Sequence, residues 1–354
     1  MVGIKTDVSV EEKLKLSSQL VSVEQCPDLL PEDFIYHTKN RGRAVPIFKI
    51  LVSNICYNDC LYCANRSTRN CKRYKFRVAE VVNVFMELYS QGKVSGIFLS
   101  SGIHNRPDRV QAEILKVVEI LRKKYRYSGY IHSKVIPGSD PEIVRALFEF
   151  SDRVSINLEA PGERYIRKIA PHKDFLKLYT RLKQLVQFSK KYNLNSGITT
   201  QLIVGIGDED DRTLLSFAHR LYTQIGIRRM YYSGFQPVEA TPLEGKSRCR
   251  KLRILRLYQA DYLIRMYGFS PQEFAYDDSG NLLLSKDPKL AWAEKNLIKV
   301  NINNARFEEL IRIPGIGHNS AREILLLRKK KRIKLSDLKN LGINRYQTLK
   351  FIQT

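Results

Sequence analysis

The length, composition and charge of the chain exclude several broad classes of protein before any motif is considered. Of its 354 residues, 43% are hydrophobic and 27% are charged, which predicts a globular protein with a sizeable core rather than a disordered one. Lys and Arg number 60 against 36 Asp and Glu, so the formal net charge is +24. Such an excess indicates a polyanionic partner, such as nucleic acid or an anionic membrane surface, with a generally basic surface as the plain alternative.

The first 45 residues are mostly polar and predict an N-terminal extension ahead of the main domain. They lack the apolar centre of a secretory signal, and no apolar run in the sequence is long enough to span a bilayer. We therefore expect a cytoplasmic protein without a membrane partner, in a compartment where thiols stay reduced.

From residue 46 onward, strand and helix signals alternate. Six short apolar segments predict strands: VPIFKILVS, SGIFLSS, GYIHSKVI, RVSINLE, GITTQLIVG and RMYYSGF. Six segments with helical periodicity follow them in turn, at 78–89, 110–125, 141–150, 175–192, 211–225 and 252–266. Asp140 and Pro141 supply a helix cap and a first-turn proline. Strict alternation predicts an α/β fold with a parallel sheet, either open or closed toward a barrel.

The pattern changes after about residue 270. A connector spans 271–295, and a helical tail spans 296–354 with 13 Lys and Arg against 4 Asp and Glu. The sequence therefore predicts an extension at 1–45, a β/α domain at 46–270, the connector, and a small all-α nucleic-acid-binding domain at 296–354.

Three cysteines lie close together directly after the first predicted strand. In NICYNDCLYCANRS, Cys56, Cys60 and Cys63 follow the spacing C-x3-C-x2-C. One interpretation is structural zinc with Cys71 as the fourth ligand, and another is chance clustering of buried cysteines. A [4Fe–4S] cluster held by three thiolates fits better, because it leaves one iron open for a substrate or cofactor. The separated Cys26, Cys71 and Cys249 are interpreted as structural.

CYNDCLYC resembles the cysteine motif of the radical S-adenosylmethionine superfamily, with aromatic Tyr62 before the last cysteine. This resemblance implies an incomplete (β/α)6 barrel in which Cys56, Cys60 and Cys63 ligate the cluster. S-adenosylmethionine would then chelate the open iron, with Tyr62 near its adenine. An electron donor such as flavodoxin or ferredoxin would trigger cleavage to a 5′-deoxyadenosyl radical.

The same resemblance assigns cofactor contacts to later strand ends. LSSG matches the glycine-rich motif for the methionine amino group, with serines in place of the usual glycines. SINLEA offers polar groups to the ribose or the methionine, unless it is simply a solvated strand end. QLIVGIGDE and YYSGFQPV match positions beside the adenine. The implied contacts are Ser100, Ser101, Gly102, Asn157, Glu159, Gln201, Ile203, Gly205, Phe235 and Pro237.

The basic tail contains IPGIG between two amphipathic segments, which is the helix-hairpin-helix signature. Pro314 sets the turn, while Gly315 and Gly317 allow a tight hairpin. Backbone N–H groups at the start of the second helix would then hold a phosphate. The cations Lys329, Lys330, Lys331 and Arg332 add salt-dependent attraction. A hairpin used only for packing or protein contact is the alternative, and a second, degenerate hairpin is predicted around Gly342.

Taken in order, FLSSG, GYIHSKVIPG, RVSINLEAP, TQLIVG, RMYYSGFQPV, DPKLAWA and the hairpin resemble radical S-adenosylmethionine proteins assigned to DNA modification or repair. Some members of that family are encoded beside a uracil-DNA-glycosylase-like protein. The resemblance implies a DNA substrate and such a partner. VEATPLEG departs from the family pattern near the expected substrate entrance. An enzyme modifying tRNA or rRNA, and a non-catalytic iron–sulfur module that binds nucleic acid, are the alternatives.

Overall fold

The computed structural model describes residues 8–23, 35–40, 43–296, 299–341, 343 and 346–354. The chain divides into two compact units. The first comprises residues 1–208 and 224–249, and the second comprises 209–223 and 250–354. Two positions considered above, Cys26 and Gly342, lie outside the described residues.

The first unit is built on a seven-stranded sheet whose strands follow one another in chain order. The strands are β1 Ile35–Asn40, β2 Arg43–Leu51, β3 Gly96–Ser100, β4 Tyr130–Lys134, β5 Arg153–Ser155, β6 Ile198–Val204 and β7 Arg229–Gly234. β1 pairs antiparallel with β2, and the remaining neighbours pair in parallel. The six parallel strands curl into a half-barrel, so the predicted incomplete (β/α)6 barrel is confirmed.

Helices connect the parallel strands, as the alternating pattern predicts. In this unit the connecting helices are α2 Val78–Ser90, α3 Pro107–Lys123, α4 Pro141–Ala146, α5 Glu163–Ile166 and α6 Phe175–Lys191, and a further helix, α1 Val10–Val23, precedes the sheet. The predicted cap is present at α4, where Asp140 Oδ1 accepts the Glu142 N–H at 2.7 Å. The strand β1 and the helix α1 lie in the segment predicted as an extension, which its polar composition did not reveal.

The two faces of the half-barrel differ in character. Phe48 and Ile50 of β2 are fully buried on the outer face, where Phe48 stacks on Phe85 of α2 with ring centroids 6.3 Å apart. Successive strand residues point to opposite faces, so Lys49 and Leu51 point inward. The apolar core therefore lies between strands and helices, and the inner face carries a mixture of polar and apolar side chains.

The second unit is mostly helical. Its helices are α7 Asp211–Arg220, α8 Lys251–Tyr267, α9 Pro288–Asn296, α10 Phe307–Leu310, α11 His318–Leu327, α12 Leu335–Asn340 and α13 Tyr346–Leu349, with a small parallel pair β8 Val300–Asn301 and β9 Ile352–Gln353. The fully buried Asp211 ties α7 to α8 through Arg253 Nε at 2.8 Å. Helices α10 and α11 flank IPGIG, which confirms the helix-hairpin-helix. Along the described part of the chain, no helix is long and apolar enough to cross a bilayer.

Candidate active site and nucleic-acid-binding hairpin

A cleft of about 1230 Å³, including open solvent at its mouth, lies at the C-terminal ends of the parallel strands. Cys56, Cys60 and Cys63 all line it, and none is in a disulfide. Their loop is held by backbone hydrogen bonds to neighbouring loops, including Tyr57 N–H to the Ile103 carbonyl at 3.0 Å. The structure thus brings the three predicted ligands to one cavity.

Arg73 organises the cysteine loop from beneath. Its guanidinium donates to four carbonyls, those of Asn54 at 2.7 Å, Asn65 at 3.0 Å, Arg66 at 2.7 Å and Arg69 at 2.8 Å. The planar guanidinium of arginine has five N–H donors, so arginine is the only side chain that can satisfy so many acceptors at once. Arg73 is therefore committed to the fold of the cysteine loop itself.

Gly102 ends the LSSG segment against the start of the cysteine loop. Its N–H donates to the Ser53 carbonyl at 2.7 Å. A Cβ at this position would lie 2.5 Å from the Ile55 carbonyl oxygen. The carbonyls of Ser53 and Ile55 are both backbone groups, so neither can move aside. Only glycine fits, so this glycine sets how closely the two loops approach.

Glu159 sits at the centre of the polar wall of the cleft. Its backbone is left-handed with φ of 66°, a strained conformation for this residue, and is held by hydrogen bonds to Gln201 and Ile203 at 3.0 and 2.8 Å. The carboxylate accepts from Lys173 Nζ at 2.7 Å, and Asn157 Nδ2 lies 3.5 Å from its other oxygen. Sequence reasoning missed Lys173, since nothing in its surroundings marks it.

Burial and the ion pair between Lys173 and Glu159 set the protonation states of the side chains in this wall of the cleft. Burial raises the pKa of the Cys60 thiol, which the nearby Lys173 ammonium partly offsets. Burial lowers the pKa of Lys173, but Glu159 and the cysteine sulfurs raise it by more, so the ammonium stays charged. The pKa of Tyr62 lies far above its usual value because of burial and the Glu159 carboxylate. Tyr62 therefore stays a neutral phenol.

Most of the cofactor contacts predicted from sequence line this cleft. They are Tyr62, Ser100, Ser101, Gly102, Asn157, Glu159, Gln201, Ile203 and Phe235. Gly205 and Pro237 are not among the lining residues. Gly205 has φ of 87°, and a Cβ there would lie 2.8 Å from Cβ of the buried Cys249, so backbone conformation and packing explain this glycine. Pro237 is exposed on the surface.

Three buried polar atoms of lining residues lack a hydrogen bond among the described residues. They are Asn65 Oδ1, Arg66 Nε and Gln236 Oε1. Buried polar atoms are costly unless paired, so the cleft suits a polar ligand. Within the described ranges, no three His, Cys, Asp or Glu side chains converge on a single metal-ion position. An iron–sulfur cluster spreads its thiolates over separate irons, so three cysteines around one cavity fit such a group.

The hairpin carries the features expected for phosphate contact. Gly315 is exposed with φ of 83°, while Pro314 is buried beneath the turn. Gly317 is extended with φ of −103°, so its contribution is different: it is the N-cap of α11 without a side chain over the first amides. Lys289 Nζ donates to the Ile316 carbonyl at 2.7 Å and holds the turn.

The predicted basic run follows α11 and is exposed throughout. It comprises Lys329, Lys330, Lys331 and Arg332. Lys331 forms an ion pair with Asp337, whose pKa is lowered by that contact and by the Lys334 backbone N–H. The electrostatic attraction that this basic run is expected to exert on phosphates is therefore weaker at Lys331.

Two family models match the chain. Residues 50–221 match the radical SAM superfamily, named after S-adenosylmethionine (SAM), and residues 295–350 match the helix-hairpin-helix motif. The crystal structure of methylornithine synthase (PylB) is 14% identical, with a TM-score of 0.52 over 96% of this chain and 94% of that one. The FeFe-hydrogenase maturase HydG from Carboxydothermus hydrogenoformans is also 14% identical, with a TM-score of 0.50 over 74% and 58%. The search of curated proteins found no match.

At such low identity the two solved structures are similar in fold alone. The half-barrel is typical of the radical SAM fold, and the family match to residues 50–221 supports a radical SAM domain. Members of the radical SAM superfamily use a [4Fe–4S] cluster and S-adenosylmethionine, and residues 295–350 add the match to the helix-hairpin-helix motif.

Proposed function

We propose that this protein is a radical SAM enzyme that modifies or repairs DNA. One observation carries the proposal: a single chain joins a cleft lined by three cysteines that form no disulfide to a unit that contains a helix-hairpin-helix. The net charge of +24 supports a polyanionic substrate.

In this proposal, Cys56, Cys60 and Cys63 hold the [4Fe–4S] cluster, and the lining residues named above hold S-adenosylmethionine. Bound together, the two groups supply a 5′-deoxyadenosyl radical that abstracts hydrogen from the substrate. Glu159 is fixed by Lys173 through one oxygen, so its other oxygen and Asn157 can hydrogen-bond hydroxyl or amino groups in the cleft. Arg66 and Gln236 add an unsatisfied donor and acceptor.

The hairpin would hold the nucleic-acid backbone. Pro314, Gly315 and Gly317 shape the turn, so that the uncapped amides of α11 face a phosphate. The exposed cations Lys329, Lys330 and Arg332 add attraction without reading sequence, with a smaller contribution from the paired Lys331. A base inside a duplex is out of reach of such a cleft, so the substrate nucleotide is flipped or single-stranded.

Partners follow from this chemistry and from the family resemblance. The cluster needs an electron donor, such as flavodoxin or ferredoxin. A uracil-DNA-glycosylase-like protein is the proposed protein partner. Backbone contacts of this kind would also serve RNA, so an enzyme that modifies tRNA or rRNA is the second candidate.

The first test is anaerobic reconstitution of the cluster, followed by dithionite and S-adenosylmethionine. Release of 5′-deoxyadenosine is expected. An intact cluster without cleavage would favour the non-catalytic binding module instead. Mass spectrometry of DNA and RNA nucleosides from cells with and without the gene would then identify the substrate. A change confined to RNA nucleosides would select the second candidate.

A salt titration tests the nucleic-acid contact. The double variant Lys329→Gln/Lys330→Gln should reduce the slope of log affinity against log salt by about 0.9 per lost phosphate contact on duplex DNA. The matched control is Lys190→Gln/Lys191→Gln, which removes the same charge from an exposed site at the end of α6. Equal slopes for the two variants would mean that general basicity, and not the tail, binds the polyanion.

A further inference from the structure

The inner face of the half-barrel continues below the cleft. Leu51, Ser100, Lys134, Asn157, Gln201 and Ser233 line the cleft. Residues two positions earlier on the same strands must also point inward, because the side-chain period of a strand is two. This second layer consists of Lys49, Phe98, His132, Ser155, Thr199 and Tyr231. It lies about 7 Å further along the strands, and Tyr130 and Arg153 follow one step below it.

Positive charge converges on this inner face. Lys134 lines the floor of the cleft, and Lys49 lies over the Phe98 ring at 5.6 Å. The pKa of His132 lies far below its usual value, first because of burial and then because of the charges of Arg153, Lys134 and Lys49. Three basic side chains, from β2, β4 and β5, thus lie close to one imidazole.

The hydrogen-bond and ring contacts of Arg153 and His132 are with neutral groups. Arg153 donates to the Tyr231 hydroxyl at 3.1 Å and lies 5.9 Å from the Tyr130 ring centroid. His132 Nε2 lies 2.8 Å from the Ser155 hydroxyl oxygen. Over the described ranges, neither Lys134 nor Arg153 forms an ion pair with a carboxylate.

Two buried atoms in the same layers also lack hydrogen bonds. Arg153 Nε and Thr199 Oγ1 have no partner among the residues that the structure describes. A buried N–H and a buried hydroxyl are both normally hydrogen-bonded. The guanidinium N–H and the hydroxyl can each donate a hydrogen bond to an oxyanion. The inner face therefore offers positive charge and hydrogen-bond donors, and Lys134 brings that charge into the open cleft.

We propose that the inner face below the cysteine cleft is an oxyanion pocket, in which Lys134 and Arg153 bind a phosphate or carboxylate of the substrate. This deepens the proposed function and rests on it for the source of the anion. If the substrate is a nucleotide, the anion is a phosphate next to the base or sugar that reacts. If the substrate is a small acid, the anion is its carboxylate. In either case the pocket orients the reacting part of the substrate toward the cysteine loop.

The test is isothermal titration of the full-length protein at 0.15 M salt with four probes: inorganic phosphate, thymidine 5′-monophosphate, thymidine and succinate. We expect thymidine 5′-monophosphate to bind and thymidine, which lacks the phosphate, to bind at least about tenfold more weakly. Lys134→Gln and Arg153→Gln should each weaken the binding about tenfold. Arg153→Lys, which keeps the charge, should weaken the binding less than Arg153→Gln does.

Controls separate the pocket from general basicity. Lys116→Gln and Arg167→Gln remove the same charges from exposed helix surfaces and should leave binding unchanged. The His132 imidazole resonances should shift on anion binding in the wild type and not in Lys134→Gln. Lys134 has no ion-pair or hydrogen-bond partner among the described residues, so its variant carries the test even if Arg153→Gln fails to fold.

The outcomes are distinguishable. Binding that neither Lys134→Gln nor Arg153→Gln weakens overturns the pocket, as does the absence of binding of all anionic probes. Succinate binding that depends on Lys134, with no binding of either phosphate probe, keeps the pocket and removes the nucleotide substrate of the proposed function. Phosphate binding that depends on Lys134 supports both.

Discussion

Lys173 and Glu159 form a buried ion pair in the wall of the cleft, with Nζ and Oε1 2.7 Å apart and side chains 15% and 7% exposed. Fourteen positions separate them in the chain. Glu159 follows a strand of the half-barrel, and Lys173 comes from the loop before α6. The pair fixes the strained Glu159 and places an ammonium near the cysteine sulfurs.

Replacing Lys173 with Met should destabilise the apoprotein by about 3 kcal/mol, because the Glu159 carboxylate stays buried without its cation. The double variant Lys173→Met/Glu159→Gln should recover part of that loss, since no net charge then remains at the site. Denaturant unfolding followed by circular dichroism measures both. Lys177→Met, on the exposed side of the next helix, is the control. Additive losses in the double variant would contradict the coupling.

Replacing Cys60 with Ser should abolish the iron–sulfur absorbance of the reconstituted protein, because two thiolates cannot hold the cluster in the cleft. Cys71→Ser is the matched control and should keep the absorbance. Cys71 lies nearby, but its sulfur is 3.9 Å from the Ala64 carbonyl and it does not line the cleft. A cluster that survives Cys60→Ser but is lost in Cys71→Ser would reassign the ligands.

Replacing Gly315 with Ala should weaken polynucleotide binding and leave cleavage of S-adenosylmethionine unchanged. The left-handed φ of 83° strains any L-residue by about 1 kcal/mol, and the new Cβ would meet Oγ1 of Thr348. Gly245→Ala is the control, since nothing lies within 4 Å of its added Cβ. Filter binding at several salt concentrations measures the loss. Unchanged affinity would remove the hairpin from the interface.

Burial lowers the pKa of Lys289 from its usual 10.5 to about 8. The folded state therefore holds this proton less tightly than the unfolded state does. The resulting stabilisation is complete above pH 10.5 and is lost as the pH falls through about 8. As the pH rises from about 8 to 10.5, Lys289 should therefore increase the free energy of unfolding by about 3 kcal/mol.

Lys289→Met should remove that rise, whereas Lys286→Met should retain it, because Lys286 is exposed and its ammonium pairs with Glu294 on the surface. Denaturant midpoints measured at several pH values between 7 and 10.5 provide the comparison. A rise of equal size in both variants would mean that other groups cause it.

Local signals predicted a large part of the fold. The six parallel strands and the six helical segments could be read because apolar periodicity, Asp140 and Pro141 act within a few residues. The edge strand β1 was not predicted, because mostly polar residues form it and pair with β2 through their backbone, which leaves no apolar pattern in the sequence. Gly205 and Pro237 were placed in the site by motif order, whereas only packing shows that Cys249 explains the glycine.

The sequence by itself determined where the chemistry would be concentrated. Three cysteines in one loop and a glycine-bounded hairpin are each coded within a dozen residues, so the chain order is enough to recognise them. Only the tertiary structure decided which distant groups support them. Lys173 reaches Glu159 and Arg73 holds the cysteine loop, because the folding of the loops at the strand ends brings these side chains to their partners. Lys134 and Arg153 share one inner face, because pairing of β4 with β5 brings the two strands together whatever their separation along the chain.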